Sequence, residues 1–208
     1  MTLAPLINAR VLAVVRAPSA ESALLAADAL VAGGIFGLEI TYSTPDAPAV
    51  IRELDARYGE RIYLGAGTVT TPEEASMAAA AGARFLVSPG TRPGLTAAMK
   101  ATGLVVLTGA LTPSEVMAAI EYGADVVKIF PASLGGPPFL KALRGPFPDV
   151  ALMPTGGVTP ENLDAWFAAG AVAVGAGGDL VSGADLASGR YDEVERKARL
   201  FASAGARG

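Results

Sequence analysis

The 208-residue chain contains no cysteine and no histidine. Without cysteine there is no disulfide, no thiolate nucleophile and no thiolate metal site. Without histidine, the commonest general base and the commonest ligand of catalytic zinc are both missing. Metal-dependent catalysis resting on imidazole ligands is excluded by composition, and no cofactor is expected. Any proton chemistry falls to Glu, Asp, Lys or Tyr. No apolar run reaches the roughly 18–20 residues that a membrane span needs. The opening stretch, MTLAPLINARVLAVVRA, lacks a basic region ahead of its short apolar run. No signal peptide is expected, and the expected compartment is the cytoplasm.

Apolar residues are abundant instead: 51% of the chain is hydrophobic, and the mean hydropathy is positive. That surplus must go into a core or a subunit interface. The net charge of −4 points to neither nucleic acid nor anionic lipid. The length fits one domain over residues 1–208, with a short lead-in over 1–10.

Short β-rich runs recur along the chain: VLAVV (11–15), FGLEI (36–40), IYLGA (62–66), RFLVS (84–88), LVVLT (104–108), DVVKI (125–129), VALMP (150–154) and AVAVG (171–175). Ala- and Leu-rich stretches of helical length separate them. Start signals precede several of these, at 18–21, 71–74, 112–115 and 159–162. A Thr at the N-cap, Pro at the first helical position and acids in the first turn satisfy free amides and the helix dipole. Glycines at 32–34, 80–82, 121–123 and 168–170 fit helix C-caps. Near-continuous apolar strands alternating with helices predict a parallel sheet, and eight such units predict a (β/α)₈ TIM barrel of the α/β class. The alternative, an open doubly wound sheet, lacks its usual Gly-x-Gly-x-x-Gly after the first strand, where VVRAPSAE stands.

Barrel chemistry lies at the C-terminal ends of the strands. The polar groups expected there are Arg16, Glu39, Thr68, Ser88, Thr108, Lys128 and Thr155. Lys128 is unlike Lys100, Lys141 and Lys197, which fall in helical or connecting stretches that read as solvated. It lies inside an apolar strand and shares a face with Val126 and Phe130. Apolar surroundings disfavour an ammonium, and a Schiff-base lysine must be neutral to attack. The competing reading is a lysine at a strand end that reaches solvent or pairs with a carboxylate. Glu39, in GLEIT, is apolar on both sides, which suits a proton shuttle. It could equally be a structural ion pair, with Lys128 itself as the partner.

Glycine clusters follow the seventh strand (PTGGV, 154–158) and the eighth (GAGGD, 175–179). Loops there commonly bind phosphate, because glycine lets backbone amides approach an anion; the alternative is that these are simple turns. Thr68 could bind a carboxylate or cap a helix. Asp125 begins its strand and reads as structural. Trp166 and Phe167 read as core.

The set GLEIT, GAGTVTTPEE, FLVSPG, LTPSE, VVKIFPA, GPFPDV and MPTGGVTPEN resembles the 2-keto-3-deoxy-6-phosphogluconate (KDPG) aldolases from about residue 10 to residue 200. The resemblance implies a class I aldolase that splits KDPG into pyruvate and glyceraldehyde 3-phosphate, typically a homotrimer without metal. It implies Lys128 as the Schiff-base lysine and Glu39 as the general acid–base. It implies Thr68 near the pyruvate carboxylate, and Pro89 and Phe130 lining the pyruvate pocket. Thr155, Gly156 and Gly157 would meet the substrate's hydroxyl and phosphate end. Gly177 would bind phosphate, and Gly178 stands where many members carry Ser. Arg16 matches an arginine found after the first strand in many members. Many members also read Glu-Val-Thr-Leu-Arg-Thr where this chain has Glu39-Ile-Thr-Tyr-Ser43-Thr. Rival substrates are the galactonate epimer and 4-hydroxy-2-oxoglutarate. A reading of another class is a non-catalytic phosphate-binding barrel or a structural trimer.

Overall fold

The computed structural model describes residues 2–206. Helix α1 (Ala4–Ala9) leads into strand β1 (Val11–Val15). The chain then alternates: α2 (Ala20–Ala32), β2 (Gly37–Thr41), α3 (Ala47–Tyr58), β3 (Tyr63–Gly67), α4 (Pro72–Ala80), β4 (Phe85–Val87), α5 (Pro93–Ala101) and β5 (Val105–Ala110). After these come α6 (Pro113–Glu121), β6 (Val126–Ile129), α7 (Gly136–Leu143), β7 (Leu152–Pro154), α8 (Leu163–Ala168), β8 (Val174–Ala176), α9 (Gly183–Ala187) and α10 (Tyr191–Gly205).

Every ladder is parallel, in the order β7-β6-β5-β4-β3-β2-β1-β8. Parallel bridges Leu152–Ala171 and Thr155–Gly175 join β7 to the β8 side and close the ring. The architecture is the TIM barrel expected from the alternation. Strands β7 and β8 are shorter than the runs 150–154 and 171–175 suggest. The Val150 carbonyl accepts from Arg144 Nη1 at 2.7 Å, which ties that residue to the end of α7 rather than to the ladder.

Sequence signals place most helix ends. Thr71 and Thr112 each form a capping box, with Glu74 and Glu115 as the reciprocal acids. The Leu111 and Thr112 amides hold the Glu115 carboxyl below its usual range. Gly34, Gly82, Gly123 and Gly170, one from each predicted C-cap cluster, take positive φ. The 159–162 signal behaves differently, because α8 starts only at Leu163. Asn162 accepts from the Thr159 amide and donates to the Gly157 carbonyl at 2.8 Å, so these residues fold into a turn instead.

Alternation along the strands sorts side chains into two cores. Val11, Ala13, Leu38, Ile40, Leu64 and Val106 face the helices. Leu12, Tyr63, Phe85, Val105, Val126 and Met153 fill the barrel's lower interior. The lead-in is more than a tail. Its Leu6 is fully buried in that interior cluster, with Leu3 and Ala9 packed against it. Burying one such leucine contributes roughly 1.5–3 kcal/mol. Asp125 opens β6 at this lower end, where it takes Lys100 at 2.7 Å and the Val106 amide at 2.8 Å. It is structural, as expected. Lys197 pairs with Asp185 at 2.7 Å. Of the three lysines read as solvated, two are therefore ion-paired, and Lys141 is the exposed one. Trp166 is core, at 1% exposure.

Candidate active site

Lys128 and Glu39 meet inside the barrel. Lys128 Nζ lies 3.5 Å from Glu39 Oε1, with the side chains 4% and 0% exposed. Strand register sets this up. Glu39 stands between Val14 and Gly65, and Lys128 between Gly109 and Met153. The neighbours are small for a reason. A Cβ on Gly67 would stand 2.0 Å from Glu39 Oε1, and one on Gly65 would strike the Phe85 ring at 2.5 Å. A Cβ on Gly109 would come within 1.9 Å of the Pro89 carbonyl oxygen. Glycines therefore hollow the barrel around two charged side chains.

Neither Glu39 oxygen has a hydrogen-bond partner among the described residues. A buried carboxylate without donors is costly, and Lys128 is its counter-charge. Such a pair can exchange one proton between amine and carboxyl without any net change in buried charge. The Phe130 ring lies 5.4 Å from Lys128 Nζ and screens it on the mouth side.

Other expected residues gather at the same mouth. Thr68, just past β3, takes φ 55°, a region that β-branched residues rarely adopt. Pro89 follows β4 and is exposed. Thr155 is buried, and its Oγ1 has no partner among the described residues. Gly156 and Gly157 have φ of 96° and 73°. The Gly157 carbonyl is engaged by Asn162. A Cβ on Gly177 or Gly178 would meet nothing within 4 Å, so both face open space. Arg16, exposed just past β1, donates from Nη1 to Ser43 Oγ at 2.9 Å.

Ser88 and Thr108 behave otherwise. Leu86, Val106 and Ala110 belong to the outer core, while Phe85, Val87 and Leu107 belong to the inner one. Alternation thus puts Ser88 and Thr108 on the helix-facing side of their strands, away from the mouth. Three hydroxyls escaped the sequence reading as a working group: Thr41, Ser43 and Thr44. Their signal was the density of hydroxyls directly after Glu39.

A cleft of about 520 Å³ lies at the opposite face, lined by Arg10, Phe36, Arg61 and Arg84 among others. Its guanidiniums are only partly engaged, Arg10 keeping a buried Nε without a hydrogen-bond partner among the described residues. Arg84 donates to the Ile62 carbonyl and to Asp55, Arg61 donates to the Arg57 carbonyl, and Arg10 stacks on Phe167 at 4.0 Å. It lies at the strand starts, remote from Lys128, and volume alone does not make it the site.

The sequence model described as "Aldolase: KDPG and KHG aldolase" matches residues 4–197. The 2-dehydro-3-deoxy-phosphogluconate aldolase of Treponema pallidum is 38% identical over 186 residues, covering 89% of this chain and 88% of that protein. The 2-dehydro-3-deoxy-6-phosphogalactonate aldolase of Escherichia coli K12 is 35% identical over 170 residues, covering 81% and 83%. A crystal structure of KDPG aldolase from Legionella pneumophila, with pyruvate captured as a covalent carbinolamine intermediate, superposes with a TM-score of 0.87 at 32% identity, covering 97% and 98%. With the match spanning nearly the whole chain and the fold in agreement, the chain belongs to the KDPG and KHG aldolase family.

Proposed function

We propose that this chain is a class I aldolase that cleaves KDPG to pyruvate and glyceraldehyde 3-phosphate through a Schiff base on Lys128. The observation that carries the reading is the buried Lys128–Glu39 pair at 3.5 Å, with no other hydrogen-bond partner on the carboxylate among the described residues. One proton shared by this pair is enough for the whole cycle. Neutral Lys128 attacks the C2 ketone, and Glu39 relays the amine proton to the new oxyanion, giving a carbinolamine. Protonated Glu39 then releases that hydroxyl as water and leaves an iminium. The carboxylate next takes the C4 hydroxyl proton while the C3–C4 electron pair flows into the iminium. Aldehyde and enamine result. Glu39 returns its proton to C3, and water releases pyruvate and restores the amine.

The remaining assignments follow the geometry of the mouth. Thr155, with its buried and unpartnered Oγ1, suits a substrate hydroxyl. Thr68 suits the carboxylate, while Pro89 and Phe130 wall the pyruvate portion. The glycines at 156, 157, 177 and 178 suit the phosphate, whose remote binding energy orients the bond being broken. The reading also makes the protein a homotrimer. Supporting it are exposed apolar side chains on and near α6, namely Met117, Ile120 and Leu134 at 61%, 44% and 71% exposure. Among the described residues, no helix is long and apolar enough to cross a membrane.

Borohydride reduction in the presence of pyruvate tests the function. A single adduct mapping to the Lys128 peptide is expected. Labelling chiefly at Lys100, Lys141 or Lys197 would overturn the assignment.

A further inference from the structure

The cleft at the strand starts holds donors that the fold leaves short of acceptors. Arg10, which precedes β1, takes φ 57°, a conformation that costs a residue with a side chain free energy. Its guanidinium rests on the Phe167 ring, and its Nε is buried without a hydrogen-bond partner among the described residues. Tyr63, at the foot of β3, lines the same cleft and is 8% exposed. Its Oη also lacks a partner among the described residues. Burial pushes the Tyr63 phenol up to about 12, so it keeps its proton at neutral pH and remains a donor. Arg84 gives one bond to the Ile62 carbonyl and one to Asp55, of the five that a guanidinium can give. Arg61 gives one, to the Arg57 carbonyl.

Buried polar groups ordinarily find partners, and those that do not point to a missing water, ion or ligand. Guanidiniums only donate, so the missing partner is an acceptor, and an oxyanion makes the strongest bonds to them. Arg84 has Asp55 as its counter-charge at 3.3 Å, whereas Arg10 and Arg61 form no ion pair among the described residues. The C-terminal end of α10 reaches this cleft too, but its roughly half-unit of negative charge is outweighed by two unpaired guanidiniums. Beside these cations stands an apolar wall of Ile35, Phe36 and Phe201, and the Phe36 ring is left 49% exposed. The volume of about 520 Å³ falls in the range that small organic ligands occupy.

We propose that this cleft is a second ligand site, which takes a small oxyanion, phosphate or carboxylate, carried on an apolar body. Arg10 and Arg61 hold the anion, Phe36 packs the body, and Tyr63 Oη and Arg10 Nε gain the acceptor they lack. Both orphan atoms lie beneath the surface of the cleft, so the anion reaches them with a small shift of the Arg10 side chain on its stacking partner. The site is at the other end of the barrel from Lys128, and it stands independently of the aldolase reading.

Calorimetric titration of the full chain with phenyl phosphate and with benzoate tests it, the two probes separating phosphate from carboxylate. Saturable binding of at least one is expected, about tenfold or more tighter than inorganic phosphate or benzyl alcohol, since each of those lacks one half of the recognised chemistry. Arg61→Glu, at an exposed position, should fold as wild type and weaken binding about tenfold or more. Arg10→Gln should do the same. Tyr63→Phe removes a hydroxyl that holds nothing among the described residues, so it should melt no lower than wild type and weaken binding about three- to fivefold. Pyruvate trapping at Lys128 should be unchanged in all three variants, which separates this site from the barrel mouth. Absence of saturable binding by either probe below about 10 mM would overturn the proposal. So would binding that Arg61→Glu and Tyr63→Phe leave unchanged, which would place the probe elsewhere on the barrel.

Discussion

Gly67 and Glu39 compete for the same space: the side chain that β3 lacks is replaced by the carboxylate reaching across from β2. A Cβ on Gly67 would lie 2.0 Å from Oε1 and 2.6 Å from the atoms behind it. Both residues are fully enclosed.

Gly67→Ala should therefore fold but push the Glu39 carboxylate off its position beside Lys128. Misplacing a catalytic group by about 1 Å costs on the order of 10²-fold in rate. The expected result is a fall of that size in kcat with a melting temperature close to wild type. A variant that melts normally and turns over normally would show that the carboxylate's placement is not limiting.

Glu39→Gln keeps the shape and removes the titratable proton. Cleavage should slow by about 10²-fold or more, the usual size of a general acid–base contribution. Pyruvate binding should change far less, since the amide retains most contacts. Near-normal turnover would rule out the proton-carrying role.

The two glycine loops should respond in opposite ways to added side chains. Gly157 has φ 73°, and a Cβ there would sit 2.9 Å from Ser133 Cβ. Gly157→Ala distorts the loop and should raise KM for phosphorylated substrate about tenfold or more. Gly178 faces open space. Gly178→Ser should fold normally and lower KM by offering the anion a hydroxyl. Equal KM changes with phosphorylated and unphosphorylated substrates would reduce these glycines to turns.

Asp185 should give the fold an acid-sensitive component. Its carboxyl is held well below the usual carboxylate range, first by Lys197, then by Ser182 and Arg190. A carboxyl with a depressed pKa in the folded chain stabilises the fold above its unfolded pKa of about 3.9. That stabilisation disappears as pH falls through the folded value. Asp185→Asn should lower the melting temperature by roughly 3–6 °C at pH 7. The gap from wild type should persist to about pH 5 and narrow below about pH 4. Melting curves across that range decide it, and a gap independent of pH would assign the effect to packing.

Periodicity and end signals carried most of the architecture, because each strand's burial and each helix's cap are local matters. The (β/α)₈ alternation, the capping boxes at Thr71 and Thr112 and the positive-φ glycines were all legible. The Lys128–Glu39 contact was legible only as an alternative, since residues 89 positions apart meet through barrel closure rather than through spacing. Thr108 and Ser88 misled because the last polar residue of a strand can face either side, and register decides which. The bond from Ser43 to Arg16 was hidden for the same reason: it joins neighbouring strands whose ends lie 27 residues apart in sequence. The TPEN turn misled because Asn162 binds backward to Gly157 and Thr159 rather than forward into a helix.

The floor that Leu6, Leu12, Phe85 and Met153 build across the bottom makes the barrel a cup, not a tube. Water reaches Lys128 only over the rim. On the proposed aldolase reading, a substrate seated with its phosphate at the rim would close the cup behind it. The water shut in with it would be the one expelled as the iminium forms, and bulk water would return for hydrolysis only when the aldehyde half leaves, after the carbon skeleton has been cut.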